Sequence, residues 1–329
     1  MSEARLLEVD RLSVDFQLGN RVVRALSEVS FDIGKGEILG LVGESGCGKS
    51  LTSLALMRLL PPNAIIAGGR IRIGSVDMTT ASEQTVRRLR GEAVAMIFQE
   101  PTVALNPLVT IGRQIEESLL IHRSAGRAAR RERALELLSL VGIPAPAQRY
   151  RQYPHELSGG MRQRAMIAMA LACEPGLIIA DEPTTALDAT IQAQVLDLLK
   201  EIRGRLGTSI LFITHNLGVI ADIADRVAVM YAGQVVELAP VARLFALPAH
   251  PYTAGLLASI PDLRGGRDER LPSIPGRVPS LGQIPPACPF QDRCPRVTEI
   301  CREQRPPLEA VETGHLAACW HPLTGGEAA

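Results

Sequence analysis

One octapeptide, Gly43-Glu44-Ser45-Gly46-Cys47-Gly48-Lys49-Ser50, constrains this chain more than any other stretch. It fits the pattern G-x-x-x-x-G-K-[ST] of a phosphate-binding loop. The apolar run at 37–42 ahead of it predicts a buried strand, and residues 51–60 behind it predict a helix. Glycines let backbone N–H groups turn toward phosphates without a Cβ in the way. The following helix adds the positive end of its dipole. Lys49 is placed to reach the β and γ phosphates and Ser50 to hold Mg²⁺. A glycine-rich turn with a chance lysine is the bland alternative.

The 329 residues suffice for one sizeable domain with an appendage, or for two domains. Formal charge is +0, so net charge offers no support for nucleic-acid binding. Lysine occurs only at Lys35, Lys49 and Lys200 in an otherwise arginine-based chain, which fits a need at 49 for a compact, flexible ammonium. Residues 1–9 carry acidic side chains and no apolar core, unlike a secretory signal. No apolar run approaches the roughly 18 residues of a membrane span. Cys47 and Cys173 stand alone, whereas Cys288, Cys294, Cys301 and Cys319 crowd one end. In a cytosolic chain such crowding favours a metal over disulfides.

Periodicity predicts strands at 6–16, 22–33 and 69–76, the first two belonging to a small antiparallel sheet, and a buried strand at 94–98. Ile111, Ile115, Leu119 and Leu120 predict one helix. Ala134, Leu135, Leu138 and Val141 predict another, separated from the first by the basic stretch 123–133. A third runs over 160–172. This block, about 104–173, reads as a helical insertion between core strands. Beyond it come a strand at 177–180, a helix at 190–205, strands at 209–214, 226–231 and 234–238, and short helices at 218–224, 241–246 and 252–260. The whole predicts an α/β fold with a mostly parallel sheet. A polar linker at 265–270 leads into 272–322, rich in proline and cysteine, which needs a staple or a host surface.

Asp181 and Glu182 directly follow the strand 177–180, the Walker B arrangement. Asp181 is suited to the water shell of Mg²⁺ and Glu182 to polarising an attacking water; a helix N-cap pair before Pro183 is the structural alternative. Gln99 closes a buried strand and His215 follows another, where the first can touch Mg²⁺ or water and the second a γ-phosphate. Alone, each is more often ordinary structure, a solvated glutamine and a capping histidine. Ser158 with Gly159 and Gly160 opens a helix and forms a second anion site. One nucleotide has one γ-phosphate, so two such sites suggest two subunits meeting head to tail.

The set resembles the ATP-binding subunit of an ABC transporter: a P-loop NTPase-type ABC nucleotide-binding domain over 1–240, with helical insertion and antiparallel β subdomain. Leu157-Ser158-Gly159-Gly160 matches the family signature, Gln99 the Q-loop, Thr185-Ala186-Leu187-Asp188 the D-loop and His215 the switch histidine. The resemblance implies ATP and Mg²⁺ as ligands, the metal at Ser50, Gln99 and Asp181. It implies that Gly43 to Ser50 and Leu51, with Ser158, Gly159, Gly160, Asp181 and Asp188, contact nucleotide. It gives catalytic roles to Lys49, Gln99, Glu182 and His215. Phe16 is the implied adenine-stacking aromatic, with Phe31 or a partner residue as alternatives. Leu51 and Asn216 depart from the usual threonine and aspartate; the second removes a charge beside His215.

Gln99-Glu100-Pro101, Ala104-Leu105-Asn106-Pro107, Met230-Tyr231-Ala232-Gly233 and His250-Pro251-Tyr252-Thr253 resemble the ATPases of dipeptide, oligopeptide and nickel importers, nearest the D-type dipeptide subunit. That resemblance implies a C-terminal extension over 241–329 with a metal motif at 288–319. Its spacing, Cys288-x5-Cys294-x6-Cys301-x17-Cys319, is similar to that of family members with a [4Fe-4S] cluster. Zn²⁺, with His315 or His321 replacing a cysteine, and no metal at all are the alternatives. The implied partners are a homologous F-type ATPase, two membrane permeases and an extracytoplasmic peptide-binding protein, with no nucleic acid. The implied location is peripheral, on the cytoplasmic face of a bacterial inner membrane. Nickel, glutathione or murein-peptide import, and a soluble non-transport ABC ATPase, are the rival readings.

Overall fold

A computed structural model describes residues 5–185, 187–260 and 273–323. The expected linker 265–270 and Ala186 of the D-loop lie outside the described residues. In chain order the described strands are β1 (Arg5–Leu18), β2 (Arg21–Gly34), β3 (Ile38–Val42), β4 (Ala64–Ile73), β5 (Val76–Asp77), β6 (Val94–Ile97), β7 (Leu177–Asp181), β8 (Ser209–Thr214), β9 (Arg226–Tyr231), β10 (Gln234–Pro240), β11 (Glu309–Glu312) and β12 (His315–Ala317). The chain divides into two compact units, one of Met1–Leu7, Ile33–Glu37 and Thr80–Ile213, the other of Glu8–Asp32, Ile38–Thr79 and Thr214–Ala329.

In the first unit β6, β7 and β8 run parallel, with Val94 opposite Leu177 and Leu177 opposite Ser209. Every residue of β7 and β8 is buried, the mark of a parallel strand covered on both faces. Helices Ile111–His122, Arg127–Leu140 and Gly159–Ala170 form the expected helical block. Ile111, Ile115 and Leu119 point inward as the periodicity predicts, but Leu120 is exposed, one position off the apolar stripe. The basic stretch does not separate the helices over 123–133. Arg127 already opens the second helix, because arginine is a good helix former on a solvated face. A helix at Glu83–Glu92, capped by Ser82, carries only one buried residue, Val86, and so offers no apolar period to read.

The second unit holds most of the sheet β2-β1-β4-β5 and a second set in which β3 runs parallel to β9, β9 antiparallel to β10, β10 to β12 and β12 to β11. The strand expected over 69–76 instead begins at Ala64 and stops at Ile73, where Gly74 turns at φ +57°. β11 and β12 lie within the proline-rich end, so its host surface is the edge of β10. Glu237, wholly buried on β10, accepts hydrogen bonds from the Ala249 and His250 N–H groups at 2.7 and 2.9 Å and bonds His315 Nε2 of β12 at 2.7 Å.

Candidate functional site: a phosphate loop and a carboxylate turn

The loop after β3 demands glycine in fact as well as in pattern. Gly43 has φ +154°, and a Cβ there would stand 2.2 Å from the Met230 carbonyl oxygen. Gly48 has φ +108°, with Leu26 Cδ2 2.7 Å from any Cβ. Lys49 begins the helix Lys49–Leu56, whose N-cap is Gly48 with no capping side chain, so its first N–H groups are not spent on one. The Lys49 ammonium is buried and donates to the carbonyls of Gly43 at 2.8 Å and Glu44 at 3.1 Å. Ser45, Gly46 and Ser50 are exposed. Cys47 is wholly buried; burial pushes its thiol up against the pull of Lys49, so it packs under the loop. Leu51 is half-buried, and Thr52 behind it is fully buried with its hydroxyl donating to Gly48 O at 2.9 Å.

Glu44 is held from the far end of the chain. Its N–H donates to the Tyr252 hydroxyl at 3.0 Å, and its carboxylate takes both Arg293 Nη atoms, at 2.7 and 3.1 Å. Tyr252, Tyr231 and Phe290 pack ring against ring at 4.7–5.4 Å between centroids. In the same unit His215 is exposed just past β8. Asn216 caps the next helix, its Oδ1 accepting from the Gly218 and Val219 N–H groups at 2.9 and 3.4 Å. Phe16 is half-buried on β1, whereas Phe31 is 4% exposed.

In the first unit, Asp181 ends β7 almost fully buried. Glu182 then turns at φ +46°, a left-handed conformation that costs a non-glycine residue about 1–2 kcal/mol. Its N–H still donates to Ile213 O at 2.9 Å, so the turn swings the side chain off the strand end without breaking the edge. One carboxylate oxygen accepts from Gln99 Nε2 at 3.2 Å and from the Thr185 hydroxyl at 2.8 Å. Two residues 83 positions apart are thereby brought together. Ser158 caps the helix Gly159–Ala170 through Met161 N–H, at 3.4 Å. A Cβ on Gly159 would meet nothing, while one on Gly160 would sit 3.0 Å from Ile191. Asp188 caps Ala189–Leu206 through Ile191 N–H at 3.0 Å.

Cys288, Cys294, Cys301 and Cys319 line one cavity with His250, Phe290, Trp320 and His321. Burial pushes the thiols of Cys288 and Cys319 up to about 11 and that of Cys294 upward. Among the described residues, however, no three His, Cys, Asp or Glu side chains are grouped to hold a metal ion. The histidines offered as substitutes are engaged elsewhere, His315 by Glu237 and His321 by the Thr298 hydroxyl at 2.7 Å. Arg293 and Glu237 escaped the sequence reading. Tyr231 and Tyr252 carried a signal, inside Met230-Tyr231-Ala232-Gly233 and His250-Pro251-Tyr252-Thr253.

Two family patterns match the chain, "ABC transporter" over residues 26–185 and "Oligopeptide/dipeptide transporter, C-terminal region" over 236–301. A "Probable peptide ABC transporter ATP-binding protein y4tR" of Sinorhizobium fredii is 53% identical over 96% of this chain and 94% of its own. The "Dipeptide transport ATP-binding protein DppD" of Bacillus subtilis is 49% identical over 96% and 94%. The "Oligopeptide transport ATP-binding protein OppD" of the same organism is 50% identical over 97% and 90%. Among solved structures, the ATP-binding cassette MJ0796, a dimer in a post-hydrolysis state with ADP and Pi, is 27% identical with a TM-score of 0.64, covering 71% of this chain and 98% of that one.

Proposed function

The chain belongs to the ATP-binding proteins of peptide ABC transporters, and from that membership we propose that it hydrolyses ATP to drive import of dipeptides or short oligopeptides through a membrane complex. The observation that carries this reading is a phosphate loop with a buried lysine in one unit and, in the other, a carboxylate held by Gln99 and Thr185, in a chain that also matches the peptide-transporter C-terminal region.

In this reading the loop 43–50 and the helix N-terminus at Lys49 bind the phosphates. Ser50, Gln99 and Asp181 hold Mg²⁺. Glu182 polarises the water, with His215 on the γ-phosphate. Phe16 stacks on adenine, since Phe31 belongs to the core. Ser158, Gly159, Gly160 and Asp188 serve the nucleotide of a second, F-type ATPase beneath two permeases, with an extracytoplasmic binding protein supplying peptide. The dimer of the MJ0796 cassette supports such pairing. Among the described residues no helix is long and apolar enough to cross a membrane, so attachment falls to the permeases. The nucleotide-binding domain spans 1–240, with its helical part at about 104–173, and the extension 241–329.

The four thiols match a [4Fe-4S] cluster in number and line one cavity, with Zn²⁺ second, although among the described residues no three of them are grouped to hold a metal ion. Bound there, the group would staple a segment poor in core of its own. Purification from membranes, with subunit identification and iron and sulfide analysis of the same sample, tests the whole. Two permeases, a sister ATPase and about four irons per chain are the expected result. A lone chain would overturn the transporter reading, and a metal-free sample the cluster.

A further inference from the structure

Arg293 sits between two of the crowded cysteines, yet its charge is spent on the phosphate loop. Its side chain is 4% exposed. Nη1 and Nη2 fork onto the two carboxylate oxygens of Glu44 at 2.7 and 3.1 Å. Nε donates to Pro275 O at 2.8 Å and Nη2 also to Ile274 O at 3.3 Å. The guanidinium lies 5.7 Å from the Tyr231 ring centroid and 5.9 Å from that of Phe290. Every nitrogen is committed, so the fork has one position.

Glu44 is correspondingly held at three points. Arg293 takes its carboxylate, the Tyr252 hydroxyl its N–H, and Lys49 Nζ its carbonyl. Lys49 rests on the carbonyls of Gly43 and Glu44, so one of the two residues that carry the ammonium, Glu44, is braced by a side chain 249 positions away. Gluing the C-terminal segment to its unit is the plainer role for such a pair. Gluing alone gains little from a buried ion pair over apolar contact. It also leaves unexplained why the target is a one-third-exposed carboxylate inside a loop that must receive a polyanion. An unneutralised charge there repels phosphate.

We propose that Arg293 is a positioning residue for ATP binding: it neutralises Glu44 and fixes the loop's shape before nucleotide arrives. The test is Mg-ATP affinity, steady-state ATPase and thermal midpoint of the full chain carrying Arg293→Met, Glu44→Gln, both together, or Arg293→Lys. Arg293→Met should raise Kd and KM for ATP about tenfold with kcat within about twofold. Added salt should shrink that defect. The double variant, with no carboxylate left to repel phosphate, should recover most of the affinity. Arg293→Lys, which keeps the charge and loses the fork, should fall between wild type and methionine. The proposal is overturned if Arg293→Met leaves KM within about twofold, if the double variant is as weak as the single, or if only the thermal midpoint moves. Should the methionine variant fail to fold, an unchanged KM in Arg293→Lys overturns it as well.

Discussion

Replacing Glu237 by alanine should detach the end of the chain from the sheet. The carboxylate is wholly buried and is the acceptor for three donors: Ala249 N–H, His250 N–H and His315 Nε2. Alanine leaves all three without that acceptor. A buried donor stripped of its partner costs about 1–3 kcal/mol, and loss of the glutamate methylenes adds a cavity term. Shared relaxation among three neighbouring donors makes the sum less than additive, so about 3–5 kcal/mol is expected. The chain's single tryptophan, Trp320, stands in the segment that Glu237 anchors through β12, and its Nε1 donates to Gln304 O at 3.1 Å. Its fluorescence in a urea titration therefore reports on that segment. In Glu237→Ala the Trp320 transition should move to lower urea and precede the loss of far-UV helical signal. Glu237→Gln retains one acceptor but turns an amide N–H₂ toward a donor, and should lie between. A Trp320 transition displaced by less than about 1 kcal/mol in the alanine variant would refute the view that this carboxylate organises the C-terminal segment.

The nucleotide motifs were legible because each is local. Eight consecutive residues specify the loop at 43–50, and the strands 209–214 and 226–231 carry near-continuous apolar runs that fall where predicted. What escaped is long in range or lacks a period. β12 is three residues, His315–Ala317, too short for alternation to register, and it exists because β10 offers an edge. Glu237 reads as a lone charge in an apolar strand until its donors arrive from 249, 250 and 315. Gly69 drew no notice as a turn, yet it sits at φ +83° with any Cβ 2.3 Å from Arg11 O, a close approach that only folding creates. The four cysteines, read as a metal motif, line one cavity, but among the described residues no three are grouped to hold a metal ion, and ligand geometry is not a property of spacing.

Glu182→Gln should lower phosphate release about 10²–10⁴-fold while sparing ATP binding and the thermal midpoint, because the amide oxygen can still take the Gln99 and Thr185 bonds and only the base is lost; unaltered turnover would remove Glu182 from catalysis. Gly43→Ala should abolish nucleotide binding, since its Cβ would overlap the Met230 carbonyl at 2.2 Å; retained affinity in a binding titration would show that the loop relaxes. Asn216 is the harder case. Its Oδ1 caps the helix Leu217–Ile223 through two N–H groups, so Asn216→Ala should cost about 1 kcal/mol of stability. Asn216→Asp keeps both bonds and places an anion at a helix N-terminus, worth about 0.3–1 kcal/mol in favour. If the cap is the whole role of this side chain, the aspartate variant gains that stability with kcat unchanged. A shift in kcat greater than about twofold would mean that the charge missing at 216 does govern how the neighbouring His215 is held, and that helix capping alone does not account for asparagine here.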